Sequence, residues 1–181
     1  MSDTEFDSEL SRLHRWLEER YHQSLRESLQ QGSRLLLEGK PLEALPLLQR
    51  AHRLKPDDPD IVLNLSGAYI LAGKHHHAVA ILEAALRQFP DNARLWANLG
   101  AAYLGNLLTA TEEQQMRALK AFERALEIDP LAHSVAYNIG LIYQGRGETR
   151  MAIAAFRRAI LANPLDHDAR TLLSQLEQSI S

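Results

Sequence analysis

Apolar residues recur three and four positions apart along most of the chain, the spacing of one face of an α-helix. Trp96, Leu99, Gly100 and Tyr103 share one such face, and Ala118, Phe122 and Ala125 share a face of the helix that follows. Near the start, Phe6, Leu10, Leu13, Leu17 and Tyr21 stand at steps of four, three, four and four. They predict a helix over residues 4–22, with Trp16 widening the stripe and Asp3 or Thr4 as its cap. Leu172, Leu173 and Leu176, with polar residues between them, predict another helix over residues 167–181.

The pattern repeats. Pro56, Pro90, Pro130 and Pro164 are spaced by 34, 40 and 34 residues, and so are Ala44, Ala78, Ala118 and Ala152. Ala51, Ala85, Ala125 and Ala159 follow the same series, as do Leu48, Leu82, Phe122 and Phe156. Several residue types sharing one period define a repeat of two amphipathic helices. Gly39, Gly73 and Gly147 end the first helix of their units, because glycine accepts a left-handed backbone without a Cβ penalty. The prolines end the second helix, since proline lacks the N–H and clashes with the preceding turn. The alanines mark close approach of two backbones, where a larger side chain would overpack. One helix pair cannot bury its own apolar face, whereas stacked pairs can, so the expected fold is an all-α solenoid.

Two runs carry a family likeness. Ala93-Arg94-Leu95-Trp96-Ala97-Asn98-Leu99-Gly100-Ala101-Ala102-Tyr103 resembles the first-helix motif of the tetratricopeptide repeat (TPR) family. Ala118-Leu119-Lys120-Ala121-Phe122-Glu123-Arg124-Ala125-Leu126-Glu127-Ile128-Asp129-Pro130 resembles the second. The resemblance recurs over residues 25–166 and divides them into units 25–58, 59–92, 93–132 and 133–166. A separate N-terminal helix is expected over residues 1–24, and a capping helix over 167–181. The resemblance implies a right-handed α-solenoid with a concave groove lined by the first helices. It also implies a non-catalytic role in binding other proteins.

Departures from the repeat sharpen this picture. The third unit is six residues too long, between Tyr103 and Ala118. Thr111 with Gln114 forms a capping box, so its second helix should begin near residue 112, after a longer first helix and a lengthened loop. Leu107 and Leu108 in that loop are candidates for partial exposure. In the first unit Ser28 and Gln31 replace the apolar residues of later units, and Leu25, Leu29 and Leu36 make its helix apolar on the groove side. The N-terminal helix is the nearest candidate to cover them.

Composition excludes several classes. The 181 residues are 45% hydrophobic and 24% charged, with a net charge of −3, which gives no basic field for nucleic acid. No apolar run is long enough to span a bilayer, and no secretion signal is recognisable at the start, so a cytoplasmic protein is expected. The absence of cysteine excludes disulfides, thiolate metal sites and thiol catalysis. No enzyme motif is present, and neither an enzymatic activity nor a cofactor is expected. His75-His76-His77 cannot chelate one metal together, because consecutive helical residues point about 100° apart. His75 stands where the resembled family often carries a packing aromatic. Asp166-His167-Asp168 follows Pro164, where a helix must start, and reads as a cap. His14 and Glu18 read as a surface pair.

Spacing then gives what lines the implied groove. Its candidate peptide-binding residues are Gln30, Leu63, Asn64, Gly67, Ile70, Arg94, Ala97, Asn98, Ala101, Leu104, Tyr137, Asn138 and Leu141. Gln30, Asn64, Asn98 and Asn138 form a row of amides, each able to bond both polar groups of a peptide unit. The row is similar to the asparagine ladder in the TPR arm of O-linked N-acetylglucosamine transferases. It is equally read as an internal support for neighbouring helices. The remaining rows are apolar or small, which suits an amphipathic helix or an apolar extended segment. Only fragments of the family's carboxylate clamp are present. The expected partner is another protein or peptide, with no nucleic acid and no membrane insertion. An alternative is a self-assembling scaffold, in which residues 4–22 fill the groove in their own chain or in a homo-oligomer.

Overall fold

The computed structural model describes the backbone of residues 3–132 and 134–179, and the side chains of residues 9, 12–132 and 134–179. Among these residues every regular element is a helix, nine in all. The fold is all-α, of the α-solenoid class, and the chain divides into two compact units, residues 1–68 and 69–181.

The first unit holds α1 (Asp3–Leu37), α2 (Pro41–Leu54) and the part of α3 (Pro59–Leu71) up to Ala68. The expected break between residues 24 and 25 is corrected here: residues 3–37 are one continuous helix. The reason is compositional. No proline occurs before Pro41 and no glycine before Gly32, so nothing stops the helix between the two halves. A continuous helix cannot fold back on its own face. The N-terminal segment therefore does not cover Leu25, Leu29 and Leu36 in the same chain, and these remain half-buried. The side chains of Asp3, Thr4, Phe6 and Leu10 lie outside the described residues.

α1 packs against α2 in antiparallel fashion, across a three-residue turn. Tyr21 Oη donates to the Leu54 carbonyl at 2.7 Å, which marks where that pairing ends. Residues 12–20 are exposed beyond it. Gly32 lies at the crossing; a Cβ there would sit 2.7 Å from two atoms of the fully buried Leu48. Asp58 opens α3 by accepting from the backbone N–H of Asp60 and Ile61 at 3.0 and 3.3 Å.

His52 on α2 is half-buried, and its Nδ1 is enclosed with no partner. Burial holds its pKa below the ordinary 6.5, and Asp57 opposes this only in part. A lowered folded-state pKa means that the unfolded chain takes up the proton first as pH falls below about 6.5. The resulting stability is present above that pH and is lost below it. The urea midpoint of the wild type should therefore fall more between pH 7.5 and 5.5 than that of His52→Leu.

The second unit holds the rest of α3, followed by α4 (His75–Leu86), α5 (Ala93–Leu104), α6 (Glu112–Ile128), α7 (Val135–Gly145), α8 (Thr149–Ala162) and α9 (His167–Ser179). From α4 to α9 each helix packs on the next. One core gathers Leu104, Leu119, Phe122, Leu126, Val135, Ile139 and Ile142; a second gathers Ala136, Ala152, Phe156, Ala159 and Ala169. Leu172, Leu173 and Leu176 of α9 close against the second core, and Asp166 caps that helix through the Ala169 N–H at 2.9 Å.

Three helices end alike. Gly39, Gly73 and Gly147 take φ values of +72°, +71° and +74°. The residue after each glycine bonds back to the carbonyl of Leu35, Tyr69 or Tyr143, which is the Schellman pattern. α5 departs from this. It stops at Gly105, φ +59°, so the expected longer first helix is not formed. Relative to the α7–α8 turn, the connecting loop is four residues longer, and α6 starts three residues earlier before its repeat alanine, Ala118. Thr111 and Gln114 close their capping box at 3.2 and 2.9 Å. Leu108 in the loop is 92% exposed, while Leu107 packs on the core.

Candidate binding surface

In the first unit, Asn64 is committed internally. Its Nδ2 donates to the Asp60 carbonyl at 2.8 Å, and its Oδ1 accepts from Ser33 Oγ at 3.1 Å. One donor and one acceptor position are thus used within the unit, as the supporting role requires. Gln30 is exposed, and Gly67 is half-buried with open space where a Cβ would stand. Leu63 is 7% exposed and belongs to the interior, a correction to its place among lining residues. Its helix also carries buried Ile61, Val62 and Leu65, so the enclosed side of α3 reaches Leu63, while Asp60, Asn64 and Gly67 keep the other side accessible.

In the second unit, Ile70 is half-buried and Arg94 is exposed. Ala97 and Ala101 of α5 rest on the core shared with α6 and α7, yet stay half-buried themselves. Asn98 and Asn138 are also half-buried. Tyr137 and Leu141 of α7 pack on the core closed by α8 and α9, again with part of each side chain accessible. Leu104 is the second correction. It is 7% exposed and sits inside the core, because α5 ends there and its last side chain turns inward.

The accessible strip is thus small, neutral and flanked by charge at its edges. Burial raises the Tyr137 hydroxyl pKa, and the carboxylates of Asp168 and Asp166 add to the shift. Arg94 lines an open cleft of about 590 Å³ with Asp91, Asn92 and Asp129. Sequence reasoning did not find a cluster on the other side of α5. Tyr103 Oη donates to Glu83 Oε1 at 2.5 Å, and the Arg117 guanidinium lies 4.0 Å above the Tyr103 ring. Burial and then this hydrogen bond push the tyrosine pKa up. Glu83, Tyr103 and Arg117 come from α4, α5 and α6, so the cluster ties three helices together. The shared position of the tyrosines in the repeat was its only signal.

The histidine run starts α4. His75 packs its ring near Gly105, with a buried, unpartnered Nδ1. His76 and His77 are exposed, and His77 stacks on Tyr69 with ring centroids 5.1 Å apart. Among the described residues, no group of three His, Cys, Asp or Glu side chains is gathered in a way that would hold a metal ion. No helix among them is long and apolar enough to cross a membrane.

Helix pairs in which Gly32, Gly100 and Gly140 meet the buried Leu48, Phe122 and Phe156 define a helical-repeat protein. The tetratricopeptide repeat pattern matches residues 35–102 and again residues 133–164. The chain belongs to the tetratricopeptide repeat family. Solved structures agree on the fold. TTC0263, a TPR protein of Thermus thermophilus, superposes with a TM-score of 0.74 at 22% identity, over 87% of this chain and 83% of that one. MamA (41-end) from Desulfovibrio magneticus RS-1 gives 0.67 at 22% identity, over 86% and 85%. The first TPR domain of human RPAP3 gives 0.59 at 20% identity, over 68% and 93%. No curated protein matches the sequence.

Proposed function

We propose that the chain is a non-catalytic binding module that holds an apolar peptide or amphipathic helix of another protein against the leading helices of its second unit. One observation carries this reading: Ala97, Asn98, Ala101, Tyr137, Asn138 and Leu141 are all half-buried, and none is charged. Small side chains let a partner backbone approach closely, while the two amides offer it donors and acceptors. The neutral strip favours an apolar ligand over an acidic one. Gln30, Asn64, Gly67, Ile70 and Arg94 are secondary in this reading. An adaptor or chaperone-like role is consistent with the same reading.

The test uses a displayed library of short random peptides, selected on the immobilised full chain. The best binder is then titrated by fluorescence polarisation. Asn98→Ala with Asn138→Ala should weaken it about tenfold, two lost hydrogen bonds at roughly 0.5–1.5 kcal/mol each. The melting temperature should hardly move. Unchanged affinity would remove the amides from the account. Exposed apolar residues on α1 favour a second reading, self-association.

A further inference from the structure

We propose that the projecting half of α1 pairs antiparallel with the same segment of a second copy of this chain. The pairing is a separate contact from the peptide-binding strip and does not depend on it.

Residues 3–20 extend about 27 Å past the point where Tyr21 meets the end of α2. An isolated helix of that length is marginal in water, so a segment this apolar needs a second surface. Leu13, Trp16 and Leu17 are 50%, 51% and 49% exposed. The Arg20 guanidinium lies 5.2 Å above the Trp16 ring and shields only that one side chain.

Positions 6, 10, 13 and 17 occupy alternating core places of a heptad, the narrow seam of a two-helix coil rather than the wide stripe of a helix on a globular core. An antiparallel register centred between residues 11 and 12 aligns this seam with itself. Position 10 then faces 13, and position 6 faces 17, so all four layers are Leu–Leu or Phe–Leu.

Charge selects the direction. Asp3, Glu5, Asp7 and Glu9 make the first third acidic, and no basic residue occurs before Arg12. A parallel pair would stack these acids on their own copies. The antiparallel register sets position 3 opposite Arg20 and position 7 beside His14, each twice by symmetry. An anionic membrane surface fits less well. Over residues 9–27, Glu9, Glu18, Glu19 and Glu27 balance Arg12, Arg15, Arg20 and Arg26, leaving no cationic face.

The test is sedimentation of the full chain together with directed cross-linking, for which the absence of cysteine is convenient. The wild type should sediment as a dimer at about 100 μM. Leu13→Asp with Leu17→Asp should raise the dissociation constant about a hundredfold or more. It should leave the thermal melt of the helix pairs, and affinity for the selected peptide, unchanged. Under oxidation, Leu17→Cys mixed with Phe6→Cys should form a disulfide dimer, whereas Leu17→Cys alone should not. A monomeric wild type, a dimer that survives both aspartates, or cross-linking of Leu17→Cys by itself would each overturn the pairing. Loss of dimer with peptide binding intact separates this contact from the binding strip.

Discussion

Phe122→Ala should destabilise the second unit by about 3–5 kcal/mol, the usual cost of removing a large buried aromatic. Phe122 is 1% exposed and sits in the core that α5, α6 and α7 share, so the cavity has no open side through which to collapse. In a chain of this size that corresponds to a fall in melting temperature of roughly 6–20 °C, followed by circular dichroism. A fall of less than about 3 °C would mean that the ring is not part of a shared core.

Gly100→Ala is the second large effect, and two opposed terms decide its sign. Alanine is the better helix former by about 1 kcal/mol. Its Cβ, however, would stand 2.5, 2.6 and 2.9 Å from Cδ1, Cε1 and Cγ of the Phe122 ring. The ring is enclosed, so overpacking at about 1–3 kcal/mol outweighs the helix gain and the single variant loses up to about 2 kcal/mol. In the Phe122→Ala background the obstacle is gone, and the same substitution should stabilise by about 1 kcal/mol. Chemical denaturation of the four proteins reads the reversal. Additive effects would show that residues 100 and 122 do not meet.

The sequence made the repeat legible because its signals are local. Glycines at a fixed period predicted left-handed helix ends, and Gly39, Gly73 and Gly147 adopt them. Thr111 and Gln114 announced their helix start three residues apart, as the closed capping box bears out. Where the structure departs from the repeat, helix stop signals decide the outcome. The family period places a boundary at residues 22–25, which contain neither proline nor glycine to stop a helix. Gly105 is a stop of the ordinary kind, so the extra residues fall in the loop and in α6 and not in the helix before it.

The binding strip was less legible because lining and core residues share one spacing. Leu63 falls in the same row as Ala97, and Leu104 in the same row as Ile70. Leu104 turns inward because α5 ends at it, and Leu63 because the elements around α3 enclose it, and neither cause is written in the spacing. Asn64 likewise matches Asn98 and Asn138 in sequence, and its bond to Ser33 across 31 residues cannot be read from a period.

The central claim is that the leading helices of the second unit carry the ligand. Amide hydrogen exchange of the full chain, with and without the selected peptide, tests it most directly. Slowed exchange should be confined to residues 94–104 of α5 and 135–145 of α7. Protection confined to α6 and α8, or no protection under saturating peptide, would contradict it.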